Sequence, residues 1–140
     1  MTTLNPQVLG RAENAHRALL GRVLAGRNTY HQWVTLTVAV TSGGDVARAE
    51  LVERVGGGLK IDPAAVEAVV AELAAGGLLR EEDHRVRLTD AGRERYHDVR
   101  AAINEILGRV YADIPAADLA TAGQVLTLVT GRIDAELAAA

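Results

Sequence analysis

The sequence has no cysteine, and this absence excludes several kinds of chemistry. Among 140 residues there is no Cys, so disulfide bonds, thiol catalysis and cysteine-ligated zinc sites are excluded. The chain also lacks any run of 18 or more apolar residues, and its first ten residues lack the basic and apolar segments of a signal peptide. We therefore expect a cytoplasmic protein with no membrane partner.

Aromatic residues are scarce, and neither sign of charge is in large excess. Aromatics make up 3% of the chain and hydrophobic residues 49%, so we expect a core of Leu, Val, Ile and Ala. The net charge of −3 gives no indication of a nucleic-acid partner. Lys60 is the only lysine among 15 basic residues. The others are arginines, which suit phosphate contacts and minor-groove insertion better than lysine does.

Motifs for catalysis and for metal binding are missing as well. The chain has no G-x-S-x-G motif, and "VGGGLK" lacks the Ser or Thr that follows the lysine of a phosphate-binding loop. The four histidines are scattered, with no pair at the H-x-x-x-H spacing of a metal site. We therefore predict that the protein is not an enzyme and holds no metal or cofactor.

The sequence does contain a series of amphipathic segments. Apolar periodicity predicts helices over residues 6–27, 47–55, 63–75 and 90–112 and a last helix from Pro115, with a hairpin over 78–88 that turns at Asp83-His84. Gly56 to Gly58 are expected to end the third helix. Residues 29–41 are ambiguous, because a helical stripe overlaps the β-branched run "WVTLTVAV"; the flanking pattern favours a helix.

The segment "DPAAVEAVVAELAAGGLL" carries the clearest helix signals. Asp62 is a good N-cap, and Pro63 suits the first helical position because its missing N–H group is not needed there. Thr89 is expected to cap the long helix that follows the hairpin. A helix–turn–helix followed by a hairpin is a winged helix. The predicted fold is therefore mainly α, with a small β-hairpin wing in a lobe over residues 29–89. Long terminal helices over 1–28 and 90–140 have apolar faces whose simplest partner is a second copy of the chain.

Several segments resemble the MarR family of winged-helix regulators. They are "AELVERV", the segment quoted above, "LTDAGRERY", and "YADIPAADLATAGQVLTLVTGR", which is similar to the closing helix of the family. The resemblance covers nearly the whole chain in order. It implies a single protomer over 1–140, a homodimer, binding to palindromic double-stranded DNA, and a small aromatic or anionic ligand that loosens that binding.

The resemblance also implies which residues would contact DNA. Asp83-His84-Arg85 matches the Asp-x-Arg of the family's wing. The predicted contacts are Arg48, Arg54, Lys60, Ala64, Ala65, Ala68, His84, Arg85 and Arg87. However, the outward face of 63–75 holds alanines and glutamates, which give weaker base discrimination than arginine. Residues 43–100 contain nine basic and twelve acidic side chains. The alternative for Arg85 and Arg87 is ion pairing with Glu81, Glu82 or Asp83.

In the family, a ligand pocket lies between the first two helices and the start of the long helix. Carried over to this chain, the pocket would be formed by His16, Tyr30, His31, Trp33, Tyr96 and Arg100, and it would suit a planar or anionic molecule. The alternative is that Tyr30 and Trp33 belong to the core and that His31 is exposed.

Three hypotheses for function follow from the sequence. The leading one is a ligand-responsive dimeric transcriptional regulator with atypical, modest DNA contacts. Two departures from the family favour a second hypothesis: the wing is short, and "GGGLKI" lengthens the connection before residue 62. That second hypothesis is a winged-helix dimer that binds or transforms a small molecule and no longer reads DNA. The third is a protein-interaction module that uses the alanine-rich helix face.

Overall fold

The computed structural model describes residues 2–139, which form six helices and one small antiparallel sheet. In chain order the elements are α1 (Pro6–Leu24), α2 (Tyr30–Thr41), β1 (Asp45–Ala47), α3 (Arg48–Leu59), α4 (Pro63–Ala75), β2 (Leu79–Glu82), β3 (Arg85–Leu88), α5 (Asp90–Val110) and α6 (Ala116–Ala139). The chain divides into two compact units, of which the first ends at Asn104 and the second begins at Glu105.

Side-chain caps fix where the central helices begin. The backbone N–H of Ala65 donates to the Asp62 carboxylate at 2.9 Å, which confirms the predicted start of α4. The backbone N–H of Gly92 donates to the Thr89 hydroxyl at 3.0 Å, and this bond caps α5 as predicted. A capping box of Thr29 and Gln32 starts α2. It settles the ambiguous segment as a helix, because its two reciprocal bonds satisfy N–H groups that a helix start leaves free.

Helix α3 runs through the three glycines, so the prediction that Gly56–Gly58 end it is wrong. The helix ends at Leu59, and Lys60 follows in the left-handed region with φ of 60°. A Cβ on Gly56 would lie 3.1 Å from the Ile61 carbonyl oxygen and 3.6 Å from Val66 Cγ2. Gly56 therefore permits a close approach of the chain that leads into α4, and this packing outweighs its low helix propensity.

The sheet has three strands in the order β1–β3–β2, and the hairpin prediction missed β1. The β2–β3 hairpin is confirmed, with Glu82 opposite Arg85 at the end next to its turn. Strand β1 pairs antiparallel with the other side of β3, which places Asp45 opposite Arg87 and Ala47 opposite Arg85. With only three residues, β1 shows too little alternation to be recognised in the sequence.

The core of the first unit is aliphatic, as the composition predicts. Helix α4 contributes Val66, Val69, Val70 and Leu73, which are all buried. Helix α2 contributes Trp33 and Leu36, and α5 contributes Val99 and Ile103. No helix in residues 2–139 combines the length and the apolar character needed to span a bilayer.

The second unit consists of the end of α5 and the whole of α6. Within the described chain, α6 buries none of its side chains. Its exposed large apolar side chains are Leu119, Val125, Leu126, Leu128, Ile133 and Leu137. A single protomer therefore leaves a long helix with an uncovered apolar surface.

Candidate nucleic-acid interface and ligand pocket

The start of α3 and the turn of the β2–β3 hairpin meet in the first unit. The backbone N–H of Arg48 donates to the His84 carbonyl oxygen at 2.7 Å. The Arg48 guanidinium lies 2.6 Å from the Glu81 carboxylate on β2. Two of the predicted DNA contacts, Arg48 and His84, are thus brought together, but the Arg48 side chain already has an anionic partner.

Arg85 and Arg87 lie on one exposed face of β3, and both are ion-paired. Arg85 Nε donates to the Asp45 carboxylate at 2.6 Å. Arg87 Nε lies 3.6 Å from Asp45 and 3.4 Å from Glu82. The alternative that these arginines form ion pairs within the hairpin is therefore confirmed for Arg87 with Glu82. The shared partner, Asp45 on β1, lies outside the hairpin and was not predicted.

The pKa of the Asp45 carboxyl is lowered from its ordinary value. The main cause is the hydrogen bond from Arg85, and the positive charges of Arg85 and Arg87 act in the same direction, against an opposing effect of desolvation. A lowered pKa in the folded state means that these ion pairs stabilise the fold above the ordinary carboxyl pKa. Their contribution is lost as the pH falls through the lowered pKa.

The remaining predicted DNA contacts lie on α3, directly after its end, and on α4. The Arg54 guanidinium donates to the Ser42 hydroxyl, and Lys60 Nζ donates to the Gly57 carbonyl oxygen at 2.9 Å. On α4, Ala64 and Ala68 are exposed, whereas Ala65 is only half exposed. The α4 surface therefore offers methyl groups and carboxylates, with no side chain that can donate to a base.

Three of the predicted pocket residues form one cluster. The Trp33 and Tyr96 rings stack with their centroids 5.3 Å apart and an interplanar angle of 13°. The Arg100 guanidinium carbon lies 5.3 Å from the Trp33 centroid and 5.6 Å from that of Tyr96. Trp33 is 5% exposed, so the alternative that it belongs to the core also holds. Arg100 and Tyr96 are half buried beside it.

The other predicted pocket residues are more exposed. His31 is exposed, and its ring centroid lies 6.2 Å from that of half-buried Tyr30. His16 is exposed on α1, where its Nδ1 lies 2.7 Å from the Ala12 carbonyl oxygen. Arg17 was not among the predicted pocket residues, although its guanidinium carbon lies 4.4 Å from the centroid of the Tyr30 ring.

A polar network that the sequence did not reveal joins α4 to α5. Arg95 donates to the Asn28 side-chain oxygen at 2.6 Å, and the Asn28 amide donates to Gln32 at 3.0 Å. The Gln32 amide donates in turn to the Glu72 carboxylate at 3.2 Å. These four side chains line a cavity of about 210 Å³. The last residues of α4 are thereby connected to the first turns of α5.

Among residues 2–139, no group of three or more His, Asp or Glu side chains is arranged to hold a metal ion.

Comparisons with protein families and with curated proteins find no match. Comparison with solved structures finds many. A MarR-family transcriptional regulator from Rhodococcus sp. RHA1 has a TM-score of 0.72 at 19% identity, and the match covers 88% of this chain and 89% of that one.

The chain has the fold of the MarR-family transcriptional regulators. A structure of BpsR from Bordetella bronchiseptica, which concerns the regulation of its DNA binding by 6-hydroxynicotinic acid, matches with a TM-score of 0.72 at 23% identity. That match covers 90% of this chain and 93% of BpsR. A Mycobacterium tuberculosis MarR family protein in complex with salicylic acid matches with a TM-score of 0.61 at 22% identity, over 87% and 94% of the two chains. The MarR fold confirms the predicted winged-helix architecture, with β2–β3 as its wing.

Proposed function

We propose that the protein is a ligand-responsive transcriptional regulator that binds palindromic DNA as a homodimer. The observation that carries the proposal is a winged-helix lobe whose exposed wing face bears Arg85 and Arg87. The likeness over about nine-tenths of the chain to a protein whose DNA binding responds to 6-hydroxynicotinic acid supports it.

The wing arginines supply the affinity for DNA by exchanging partners. Arg85 and Arg87 are about half exposed, and so is their partner Asp45. Exposed ion pairs contribute little to stability because water screens them, so a phosphate can readily replace the carboxylate. Each neutralised phosphate releases counterions, and this release provides most of the binding free energy. Arg48, Arg54, Lys60 and His84 add contacts around the wing arginines.

Helix α4 gives modest sequence discrimination in the proposed complex. Ala64, Ala65 and Ala68 offer methyl groups that can contact the thymine methyl group in the major groove. Glu67 is exposed on the same helix and repels nearby phosphates. DNA binding therefore depends on wing contacts and on a symmetric dimer that reads two half-sites. The dimer forms through residues 1–28 and 90–140.

The ligand of the proposed regulator is a small aromatic or anionic molecule. It binds beside the cluster of Trp33, Tyr96 and Arg100, with His16, Tyr30 and His31 at the outer side of the pocket. A planar ring suits the stacked pair, and the guanidinium above both rings attracts an anionic group. The complex of salicylic acid with a protein of the same fold supports this class of ligand.

The wing ion pairs provide a test with opposite expected outcomes. Arg85→Ala should weaken DNA binding several-fold and reduce the slope of log K against log salt by about 1.8, because the homodimer loses two phosphate contacts, one per protomer, at about 0.9 each. Asp45→Asn should tighten binding, because it frees Arg85 and leaves Arg87 with Glu82 as its remaining carboxylate partner. Glu67→Ala should be neutral or strengthen binding. Fluorescence anisotropy with a labelled upstream fragment at several salt concentrations measures all three.

The matched control is Arg109→Ala, which removes the same charge from a side chain whose ion pair within residues 2–139 is with Glu105, one helical turn away. This variant should leave the salt slope unchanged. The wing would be excluded as the DNA contact if Arg85→Ala and Arg109→Ala had the same effect, or if Asp45→Asn weakened binding.

A second candidate function rests on the same ion pairs. Arg48, Arg85 and Arg87 all have anionic partners in the free protein, and α4 has no donor side chain. A dimer with these features can bind a small molecule without reading DNA. Stabilisation by an aromatic acid, together with no retardation of DNA at any salt concentration, would favour this function over the first.

A further inference from the structure

An apolar groove lies on the first unit between the start of α3, the start of α4 and the turn of the wing. We refer to it as the α3–α4 groove. Its volume is about 640 Å³, which falls within the roughly 300–1,000 Å³ of small-molecule sites. Its apolar lining comes from Ala47, Ala49, Val52 and Pro63. These small, rigid side chains form a surface that suits a compact apolar body.

The charges that line this groove are mainly negative. Glu53 from α3 and Glu67 from α4 both line it, and neither forms an ion pair within residues 2–139. Arg48 also lines the groove, but its guanidinium is held by Glu81 at 2.6 Å. His84 lines the groove as well, and the amino-terminal ends of α3 and α4 each contribute only about half a positive charge. Two unpaired carboxylates therefore determine the sign of the potential in the groove.

We propose that the α3–α4 groove binds lipophilic cations, that is, compact apolar molecules carrying a positive charge. The apolar body would cover Val52 and the small residues beside it, while the charge would lie near Glu53 and Glu67. A neutral molecule would bury these carboxylates without a partner, and an anion would be repelled by them. The groove is distinct from the cluster of Trp33, Tyr96 and Arg100, and its ligand has the opposite charge to the one proposed there.

A pair of isosteric ions tests this proposal. Tetraphenylphosphonium and tetraphenylborate have nearly the same size and shape but opposite charges. Isothermal titration of the protein should show saturable binding of the phosphonium, one ion per protomer. The borate should bind at least about tenfold more weakly, since two nearby carboxylates that each contribute up to about a fivefold preference together favour the cation by up to about 25-fold. The experiment contains no DNA. Borate bound at the cluster of Trp33, Tyr96 and Arg100 is distinguished because the Glu53→Gln and Glu67→Gln changes do not affect it, so the outcome is independent of the proposed regulatory function.

Conservative variants locate the site. Glu53→Gln combined with Glu67→Gln should weaken phosphonium binding about tenfold, because the attraction of two exposed carboxylates is lost. Glu94→Gln, an exposed glutamate on α5, is the matched control and should bind like the wild type. The proposal is overturned if the phosphonium does not bind, if the borate binds as tightly, or if the double variant binds as tightly as the control. Circular dichroism confirms that each variant is folded.

Discussion

Replacing Gly92 by alanine is expected to lower the free energy of unfolding of the lobe by about 3 kcal/mol, at the upper end of the cost of overpacking. A Cβ at this position would overlap the carbonyl oxygen of Leu78 and lie 2.8 Å from Leu88 Cδ1. The backbone cannot easily yield, because the Thr89 N–H donates to that same carbonyl oxygen at 3.2 Å. Thr89 also donates its hydroxyl to the Gly77 carbonyl oxygen at 2.6 Å and caps α5.

Urea denaturation followed by circular dichroism measures this effect as a lower midpoint at an unchanged m-value. Gly57→Ala is the control, because nothing lies within 4 Å of a Cβ at this helical position. It should raise stability by about 0.5–1 kcal/mol, since alanine has a higher helix propensity than glycine. Equal stability of Gly92→Ala and the wild type would contradict the close contact between the start of α5 and Leu78.

Two charges on the apolar face of α6 are expected to convert the proposed homodimer into monomers. Leu119, Leu126 and Ile133 are spaced by seven residues and are all exposed on the single protomer. This spacing is typical of a seam between packed helices. About one-third to one-half of each side chain is still exposed, so covering it contributes about 0.5–1.5 kcal/mol per side chain. In a symmetric dimer, Leu126→Asp with Ile133→Asp removes four such contributions and places four charges in the interface.

Light scattering after gel filtration should show the molar mass of this double variant halved, and its binding to a palindromic site should be lost. Thr121→Asp with Ala135→Asp is the matched control, because it adds two charges about half a helical turn away from the seam. The control should retain the mass and the DNA affinity of the wild type. A double variant that stays dimeric would show that α6 does not form the interface.

Local signals in the sequence predicted most of the helices. Asp62, Pro63 and Thr89 act on backbone groups within three residues of themselves, so the starts of α4 and α5 could be recognised directly. Helix α2 has a local signal of the same kind, because Thr29 and Gln32 have the spacing of a capping box. The β-branched run that follows obscured this signal, and residues 29–41 therefore stayed ambiguous.

Features that depend on distant pairing could not be predicted in this way. Strand β1 exists only because it pairs with β3, and Asp45 meets Arg85 across 40 positions of sequence. The glycines of α3 resembled a helix end in the sequence. In the folded chain, Gly56 instead allows Ile61 and Val66 to pack closely against α3. At the candidate pocket, the resemblance to the family indicated Trp33, Tyr96 and Arg100. The network from Arg95 to Glu72 had no signal in the sequence, because its members come from three distant segments, at residues 28–32, 72 and 95.

The most direct test of the proposed regulatory function is gel retardation of the DNA upstream of the protein's own gene at low salt. We predict a retarded complex whose log K falls linearly with log salt, as expected for phosphate contacts by the wing arginines. We also predict that an aromatic acid such as salicylate weakens this complex. If no upstream fragment is retarded even at the lowest salt concentration, the protein does not act as a DNA-binding regulator, and the central claim is contradicted.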